Sequence, residues 1–420
     1  MLHDICVLGL GYIGLPTASI FAAKGKKVLG VDVASLVVET INRGDTHIQE
    51  PDLDLLVKTA VQSGNLRAAL RPESAAVYII AVPTPFFSTP TNPRAPDLKY
   101  VETATRSIAP VVQAGALIIL ESTSPVGTTE NVKDWLGEEL VSIRPAEATA
   151  LMASFLFAHC PERILPGQML KELVVNDRIA GGLTPTAAQK AKSLYSIFCT
   201  GEIHLTDART AELAKLTENS FRDVNIAFAN ELSLICDHLG IDVWKLIALT
   251  NRHPRVKVLQ PGPGVGGHCI AVDPWFIVDA APQQSKLIRT AREVNDYKPH
   301  HVIAKIELAI KKSPTRPVIA LLGLAFKADV DDLRESPSVE IATCLAKCNA
   351  SDILIVEPCI SQLPAALEGR AVLLDLSHAI DRADIIVVLV NHRSFYDIPV
   401  SSILGKTLID TRGIFSAAHN

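Results

Sequence analysis

The chain has little that would tie it to a metal, a membrane or a nucleic acid. Its eight cysteines, Cys6, Cys160, Cys199, Cys236, Cys269, Cys344, Cys348 and Cys359, are scattered, with no CxxC pair and no metal-ligand spacing. That pattern argues against a disulfide framework or a zinc site, so reduced thiols in a cytoplasmic setting and no metal are expected. No apolar run reaches the roughly 20 residues that span a bilayer, and no basic region precedes the first apolar segment, Ile5-Cys6-Val7-Leu8. A cytoplasmic protein without a membrane partner is therefore expected. A basic surplus is missing too: 40 Lys and Arg face 45 Asp and Glu, for a net charge of -5, which argues against general nucleic-acid binding. Apolar residues are plentiful, 48% of 420, enough for sizeable cores in two or three domains.

Glycine gathers ahead of one cysteine. Gly262-Pro263-Gly264-Val265-Gly266-Gly267-His268-Cys269-Ile270-Ala271-Val272-Asp273 places four glycines and a proline before Cys269, with an aspartate four residues on. Glycines adopt positive φ and let a backbone approach a ligand closely. A thiol delivered by such a loop is accessible, and its thiolate is a strong nucleophile. The alternative is a flexible turn around an ordinary buried cysteine.

In the amino-terminal third, Ile5–Leu8 reads as a buried strand. Gly9-Leu10-Gly11-Tyr12-Ile13-Gly14 follows, then a helical run from Leu15 to Lys24, then a second strand, Lys27 to Asp32, that ends in an acid. A GxGxxG between strand and helix, with an acid about 20 residues on, is the arrangement that holds a dinucleotide. The glycines permit a tight turn and close pyrophosphate approach, and the helix N-terminus supplies positive potential. Gly9, Gly11, Tyr12, Ile13 and Gly14 are thus the expected cofactor contacts. Asp32 can accept from ribose hydroxyls and would repel a 2′-phosphate, which favours NAD over NADP; FAD and a turn without ligand are the alternatives. Further strands, Ala76–Val82 and Leu117–Leu120, run into Pro83-Thr84-Pro85 and into Glu121-Ser122-Thr123-Ser124-Pro125-Val126-Gly127-Thr128-Thr129. Loops at the carboxyl ends of such strands line the ligand crevice, so Thr84 and Thr123 are candidate contacts. The other reading of Thr123 is a helix N-cap, a role better suited to Thr128 or Thr129. The proline-rich segment from Phe86 to Asp97 reads as a mobile surface loop.

The middle carries a loop-like His159–Gly167, then Asn176–Gly182, which closes the first domain. Helical spacing runs from Asp207 to Leu239, long enough for a spine between domains or a dimer interface. Lys215 and Asn219 lie four apart on one face of it. A solvated charge is the plain reading of Lys215, yet Ala211, Leu213, Ala214 and Leu216 surround it, and a lysine beside a reactive centre can stabilise an oxyanion. Arg252, His253, Arg255 and Lys257 precede the thiol loop. Such a cluster suits a diphosphate; a solvated surface is the alternative. In the last third, Val318–Lys327, Ile353–Val356, Ile385–Val390 and Thr407–Gly413 read as strands and strand-end turns of a second α/β unit. Lys327, Arg334 and Arg412 sit on those turns, as phosphate contacts or structural ion pairs.

Taken together, GLGYIGLP from Gly9, Asp32, ESTSPVGTT from Glu121, CPER from Cys160, AKLTEN from Ala214, GPGVGGHC from Gly262 and GLAFKADVDDLRESPS from Gly323 resemble the UDP-glucose/GDP-mannose dehydrogenase family. The resemblance covers nearly the whole chain. It implies two Rossmann-like, doubly wound parallel-sheet α/β domains joined by a long-helix region: residues 1–200 binding NAD, 201–305 for dimerisation and carrying the thiol loop, and 306–420 binding the UDP-sugar. It also implies two NAD-dependent oxidations of a sugar C6 alcohol to a carboxylate in a homodimer or higher homo-oligomer. By motif position Cys269 resembles the nucleophile, and Lys215 and Asn219 the pair that polarises the C6 oxygen. Asp273 resembles the acid/base partner, and Thr123 the threonine that orders water. Glu162 carries over as a catalytic and substrate contact, with Arg163, Arg252, His253, Arg255, Gly266, Lys327 and Arg412 toward the substrate and Arg334 toward the cofactor. UDP-glucose members tend to read PEFLREG; here Glu162 is kept, but Pro166 stands in the second glutamate's place. Val272 replaces the lysine usual beside the aspartate. HCIAVDPWF instead resembles the branch acting on UDP-N-acetylhexosamines, so UDP-N-acetyl-D-mannosamine is the expected substrate, ahead of UDP-N-acetylglucosamine and UDP-glucose. A non-catalytic NAD sensor and a single-step hydroxyacid dehydrogenase are the competing readings; the first has no use for the Lys215, Asn219, Cys269 and Asp273 set, the second none for Cys269.

Overall fold

The computed structural model describes residues 3–48, 50–87, 94–164 and 167–416. They form two compact units, Met1–Glu218 with Trp275–Ala280, and Asn219–Pro274 with Ala281–Asn420. The strands of the first unit are β1 (His3–Leu8), β2 (Val28–Val31), β3 (Leu66–Ala69), β4 (Ala75–Ile80), β5 (Phe86–Phe87), β6 (Ala95–Pro96), β7 (Leu117–Leu120), β8 (Leu156–His159), β9 (Arg178–Gly182) and β10 (Ile203–Asp207). Eight of them make one sheet in the order β10-β9-β8-β7-β4-β1-β2-β3. Its ladders are parallel except that between β8 and β9. The second unit holds β11 (Val318–Leu322), β12 (Asp352–Val356), β13 (Val372–Leu373), β14 (Ile385–Val388) and β15 (Thr407–Asp410), all parallel, in the order β13-β12-β11-β14-β15. Both sheets therefore contain the doubly wound order, third, second, first, fourth, fifth, as expected.

The strands are apolar without a break because both sheet faces are covered. Ile5 and Val7 enter one core while Cys6 and Leu8 enter the other, across the sheet. In the second unit Ile319 and Leu321 face one core, and Ala320 and Leu322 the other. Helix α1 (Gly14–Ala23) is buried from Gly14 to Ala22, which accounts for its nearly uniform apolar composition.

Two local expectations change. The segment from Phe86 to Asp97 is not wholly irregular: Phe86 pairs with Pro96 and Phe87 with Ala95 in a short antiparallel ladder, residues 88–93 lying outside the described residues. Neither Thr128 nor Thr129 is an N-cap. Helix α2 (Thr128–Ile143) starts after Gly127, whose φ of 99° admits no side chain easily. Its cap comes from a distant carboxylate. Glu212, on helix α3 (Ala208–Leu239), accepts from Gly127 N at 2.6 Å, Thr129 N at 2.8 Å and Thr129 Oγ1 at 2.6 Å. Three donors at a helix N-terminus, where the dipole favours an anion, outweigh much of the cost of burying Glu212. Burial still raises its pKa. The cap ties the loop carrying Thr123 to the helix carrying Lys215. Glu212→Ala should cost about 1–3 kcal/mol by stranding these donors, and Glu212→Gln, which keeps one oxygen, less; chemical denaturation measures both.

Candidate active site

The cofactor turn is built from three glycines with three different duties. Gly9 turns the chain after β1 at φ 92° and donates its N–H to Val31 O at 2.8 Å. Gly14 opens α1 so close beneath the turn that a Cβ there would sit 1.8 Å from Gly9 O. At Gly11 a Cβ would meet nothing within 4 Å, so the protein's own packing does not require this glycine; in such a turn the second glycine lets the backbone approach a pyrophosphate. Asp32, half-buried, accepts from Leu10 N and Ala34 N at 3.0 Å each, one on each oxygen. Those bonds fix the carboxylate at the end of β2 with lone pairs to spare for ribose hydroxyls. The turn, the helix N-terminus and the oriented acid fit a dinucleotide with an unphosphorylated ribose.

Around that crevice the first unit collects further predicted residues. Thr84 Oγ1 donates to Thr123 O at 2.6 Å, joining the ends of β4 and β7. Lys215 is half-buried on α3. Nearby, His159 closes β8 wholly buried; burial first, then the charge of Lys215, pushes its imidazole down to about 3, so it is neutral. Arg163 is engaged by Glu218, with Nη2 to Oε1 at 2.6 Å, and donates from Nη1 to Asp177 O at 3.1 Å. Glu162 is buried and accepts from Arg178 Nη2 at 2.6 Å. Pro166, set where the second glutamate would stand, lies outside the described residues. Arg178 also lies 3.7 Å from Glu121 and stacks over the Tyr195 ring at 4.5 Å. Glu121 accepts from Tyr195 Oη at 3.0 Å. One guanidinium thus faces two carboxylates. Burial, then the charge of Glu162, raises Glu121 to about 7, so the second carboxylate beside the one cation resists ionisation.

The second unit carries the thiol loop. Asn219, one turn beyond Lys215 on α3, donates from Nδ2 to Asp273 Oδ2 across 54 residues of chain. Asp273 begins helix α4 (Asp273–Ala280), and the Cys269 carbonyl accepts from Asp273 N at 2.8 Å and Val272 N at 3.0 Å. Cys269 is half-buried and held in the turn that opens α4. The glycines before it are fixed by protein packing. A Cβ at Gly266 would lie 2.5 Å from Glu335 O and 2.9 Å from Phe326 Cβ; one at Gly267 would meet the Phe326 ring at 3.0 Å. Gly267 N donates to Arg334 O at 3.2 Å. So the loop after β11 and the thiol loop are packed backbone to backbone, and only glycine fits between them.

A buried polar chain holds the start of that loop. Asn230 Oδ1 accepts from Gly262 N at 2.9 Å, and its Nδ2 donates to Asn295 Oδ1 at 2.8 Å. Asn295, on helix α5 (Lys286–Lys312), donates to Asp223 Oδ1 at 2.8 Å, which also accepts from Arg292 Nη1 at 2.6 Å. Gly262 in turn makes room for Arg412: a Cβ would lie 2.7 Å from Arg412 Nη1. Burial lowers the Arg412 guanidinium to about 10, against Tyr396 and Asp410, and Nε donates to Leu389 O at 2.9 Å. Lys327 is exposed, and Arg334 is paired with Asp332 at 2.6 Å. Arg252, His253 and Arg255 are exposed. Arg178, Glu121, Glu212, His159, Asn230, Asp223 and Arg292 escaped the sequence reading. Their one sequence signal is a polar residue inside or beside an apolar run, and their partners lie too far along the chain to be paired by spacing.

A glycine turn with an oriented acid, in one of two doubly wound units, marks a nucleotide-binding α/β protein. The chain belongs to the UDP-glucose/GDP-mannose dehydrogenase family: residues 3–199 match its NAD binding domain, 209–297 its central domain and 320–417 its UDP binding domain. It is an NAD-dependent nucleotide-sugar dehydrogenase. It is 54% identical over 415 residues to the NDP-N-acetyl-D-galactosaminuronic acid dehydrogenase of Ralstonia nicotianae, covering 99% of this chain and 97% of that one. It is also 54% identical over 418 residues to the UDP-N-acetyl-D-mannosamine dehydrogenase of Escherichia coli, with 98% and 99% covered. The structure of the UDP-D-ManNAc dehydrogenase of Pyrococcus horikoshii superposes with a TM-score of 0.87 at 39% identity, over 99% of this chain and 96% of that one. Among the described residues no helix is long and apolar enough to cross a membrane.

The glycine geometry separates folding from binding. Gly11→Ala should leave the melting temperature near that of the unaltered protein and weaken NAD by calorimetry, because the second glycine of such a turn lets the backbone approach the pyrophosphate. Gly14→Ala should instead lower the melting temperature, since its Cβ strikes Gly9 O. The buried carboxylates add a pH signature. Glu121 binds a proton more tightly folded, at about 7, than at its ordinary 4.5. Its contribution is therefore present below about 4.5 and is lost as pH rises through about 7. Glu121→Gln should flatten the fall of melting temperature with pH in that window; an unchanged slope by scanning calorimetry counts against it.

Proposed function

We propose that this chain oxidises the C6 hydroxyl of UDP-N-acetyl-D-mannosamine to the carboxylate of UDP-N-acetyl-D-mannosaminuronate, four electrons in all, through a covalent bond to Cys269. The observation that carries the reading is the Asn219–Asp273 hydrogen bond. It joins a residue of α3, one turn from Lys215, to the helix that the Cys269 turn opens. Held by the Gly9–Gly14 turn and Asp32, NAD would supply the hydride acceptor for each of the two oxidations. Lys215 and Asn219 stabilise the C6 oxygen as its proton leaves in the first. The Cys269 thiolate then adds to the aldehyde carbon, a C–S bond forms, and the oxygen takes a proton to give a thiohemiacetal. Loss of that proton with the second hydride leaves a thioester. Water, ordered by Thr123 with Asp273 as base, attacks the thioester; the C–S bond breaks, and carboxylate and thiolate remain. A covalent route keeps the reactive aldehyde from escaping. Residues 1–200 serve NAD, 201–305 assembly and the thiol loop, and 306–420 the UDP-sugar, with Lys327, Arg412, Glu162 and Arg163 as substrate contacts and Arg334 as a cofactor contact.

The Ralstonia relative, equal in identity to the Escherichia coli one, supports a second reading, with the N-acetylgalactosamine epimer as substrate. Assays of NADH formation on UDP-N-acetylmannosamine, UDP-N-acetylgalactosamine, UDP-N-acetylglucosamine and UDP-glucose separate them, the true substrate giving two NADH per sugar. One NADH would point to a single-step dehydrogenase. Cys269→Ala should abolish the four-electron reaction and spare UDP binding, while Cys269→Ser should accumulate a sugar ester visible by mass spectrometry. Two NADH per sugar at near-normal rate from Cys269→Ala would remove the thiol from the mechanism. Lys215→Ala should slow the first oxidation about 10²–10³-fold, the usual loss for one oxyanion donor.

A second copy of the chain is the partner for α3. Phe221, Phe228 and Ile235 recur every seven residues and are 71%, 52% and 47% exposed, a stripe along one helix face. Pairing would cover it and bring the exposed Arg252, His253 and Arg255 within reach of a neighbour's diphosphate. Sedimentation should show a dimer that Phe228→Glu splits; a fully active monomer of the unaltered chain would end this assignment.

A further inference from the structure

The turn after β11 repeats the turn after β1, with a different ending. Gly323, at φ 96°, donates its N–H to Val356 O at 2.8 Å, as Gly9 does to Val31 O. Glu357 follows β12 where Asp32 follows β2. Its Oε2 accepts from Leu324 N at 2.7 Å, Ala325 N at 2.9 Å and His392 Nε2 at 3.1 Å, and its Oε1 from Cys359 N at 3.1 Å. His392 Nδ1 accepts from Asp329 N at 3.0 Å; that nitrogen carries no proton, so Nε2 is the donor to Glu357. Both side chains are buried, 4% and 1% exposed. The loop Gly323–Asp329, with Lys327 inside it, is therefore gripped at its start by Glu357 and at its end by His392. Burial opposes the charge on Glu357, but hydrogen bonds from His392, Leu324 and Ala325 prevail and hold its pKa below the usual range.

We infer that Glu357 and His392 are positioning residues that clamp the Gly323–Asp329 loop so that Lys327 meets the nucleotide diphosphate, and that the clamp withdraws Glu357 from the ligand-binding duty its counterpart Asp32 keeps. The inference rests on the reading of Lys327 as a substrate cation. The two nitrogens of His392 do different work, so two conservative variants divide it. His392→Asn retains an acceptor where Nδ1 faces Asp329 N; His392→Gln retains a donor where Nε2 faces Glu357. Calorimetry with UDP as probe and amide hydrogen exchange, both on the full chain, give the readouts. His392→Gln should speed exchange at Asp329 and weaken UDP about tenfold, roughly the effect of one hydrogen bond. His392→Asn should keep Asp329 protected and UDP affinity within about threefold of the unaltered enzyme, on the same scale. Glu357→Gln, which preserves shape, should speed exchange at Leu324 and Ala325 and weaken UDP even if the histidine variants do not fold. If all of these bind UDP as the unaltered enzyme does while Lys327→Ala loses it, the clamp is overturned and the role of Lys327 stands. If Lys327→Ala binds UDP normally, the underlying reading of Lys327 fails, and the functional part of the clamp with it.

Discussion

In each Rossmann-like unit the chain leaves the first strand through a positive-φ glycine, and the backbone N–H just beyond it has no strand to bond. A carboxylate at the end of the second strand receives it: Asp32 for Leu10, Glu357 for Leu324. A buried donor left without a partner costs about 1–3 kcal/mol, so the acid is a condition of the turn's shape. What differs is the capacity left over. Asp32 uses each oxygen for one backbone donor and is open to solvent on one side. Glu357 Oε2 already takes three donors, His392 Nε2 among them. One interaction thus leaves the acid partly open to solvent in the first unit and sealed in the second.

The same economy of donors governs the middle of the chain. Glu212 caps α2 from α3, and Asn219 and Asn230, farther along α3, reach Asp273 and the Gly262 amide. Helix α3 is therefore more than a spacer. Its polar residues reach loop amides and a helix's first carboxylate, and its exposed aromatics lie elsewhere along it. This explains why its composition is neither cleanly amphipathic nor uniformly apolar: one helix serves a cap, two loop anchors and an exposed stripe at once.

Much of this was legible in the sequence, and the pattern of what was not has a physical cause. Strands buried on both faces announce themselves as unbroken apolar runs, and the Gly9–Gly14 spacing with Asp32 declares its turn because strand, turn and helix are contiguous. Interactions between distant segments left no such trace. Arg178 stands 16 residues from Glu162, and nothing local pairs them; only the antiparallel β8–β9 step brings their strand ends together. Thr128 and Thr129 looked like caps because propensity is local, whereas Glu212 supplies the cap across 85 residues. Glycine was recognised at Gly264, Gly266 and Gly267, but for a partial reason. Close approach to a ligand was expected; the observed close approach is to Phe326, Glu335, Pro337 and Pro299 of the same unit.

The packing of these glycines bears on how the Cys269 loop can be held in one conformation. A glycine run open to solvent has high backbone entropy and would hold a thiol poorly. Here each glycine is immobilised by a neighbour that only a missing Cβ admits, and the run's first amide is tied to Asn230. Asn230 is fixed by Asn295, Asn295 by Asp223, and Asp223 by Arg292, all at most 1% exposed. Burying an aspartate and an arginine is costly unless each is paired and hydrogen-bonded, and burial does raise Asp223 despite Arg292. The cost is incurred where it fixes geometry: the chain ends on Gly262, whose bare Cα lies against the Arg412 guanidinium. The first residue of the thiol loop is thereby held by a buried network through its amide and lies against Arg412 at its Cα. A change in Asn230 should disturb both together, whereas a change in Arg412 alone should leave the thiol loop where it is.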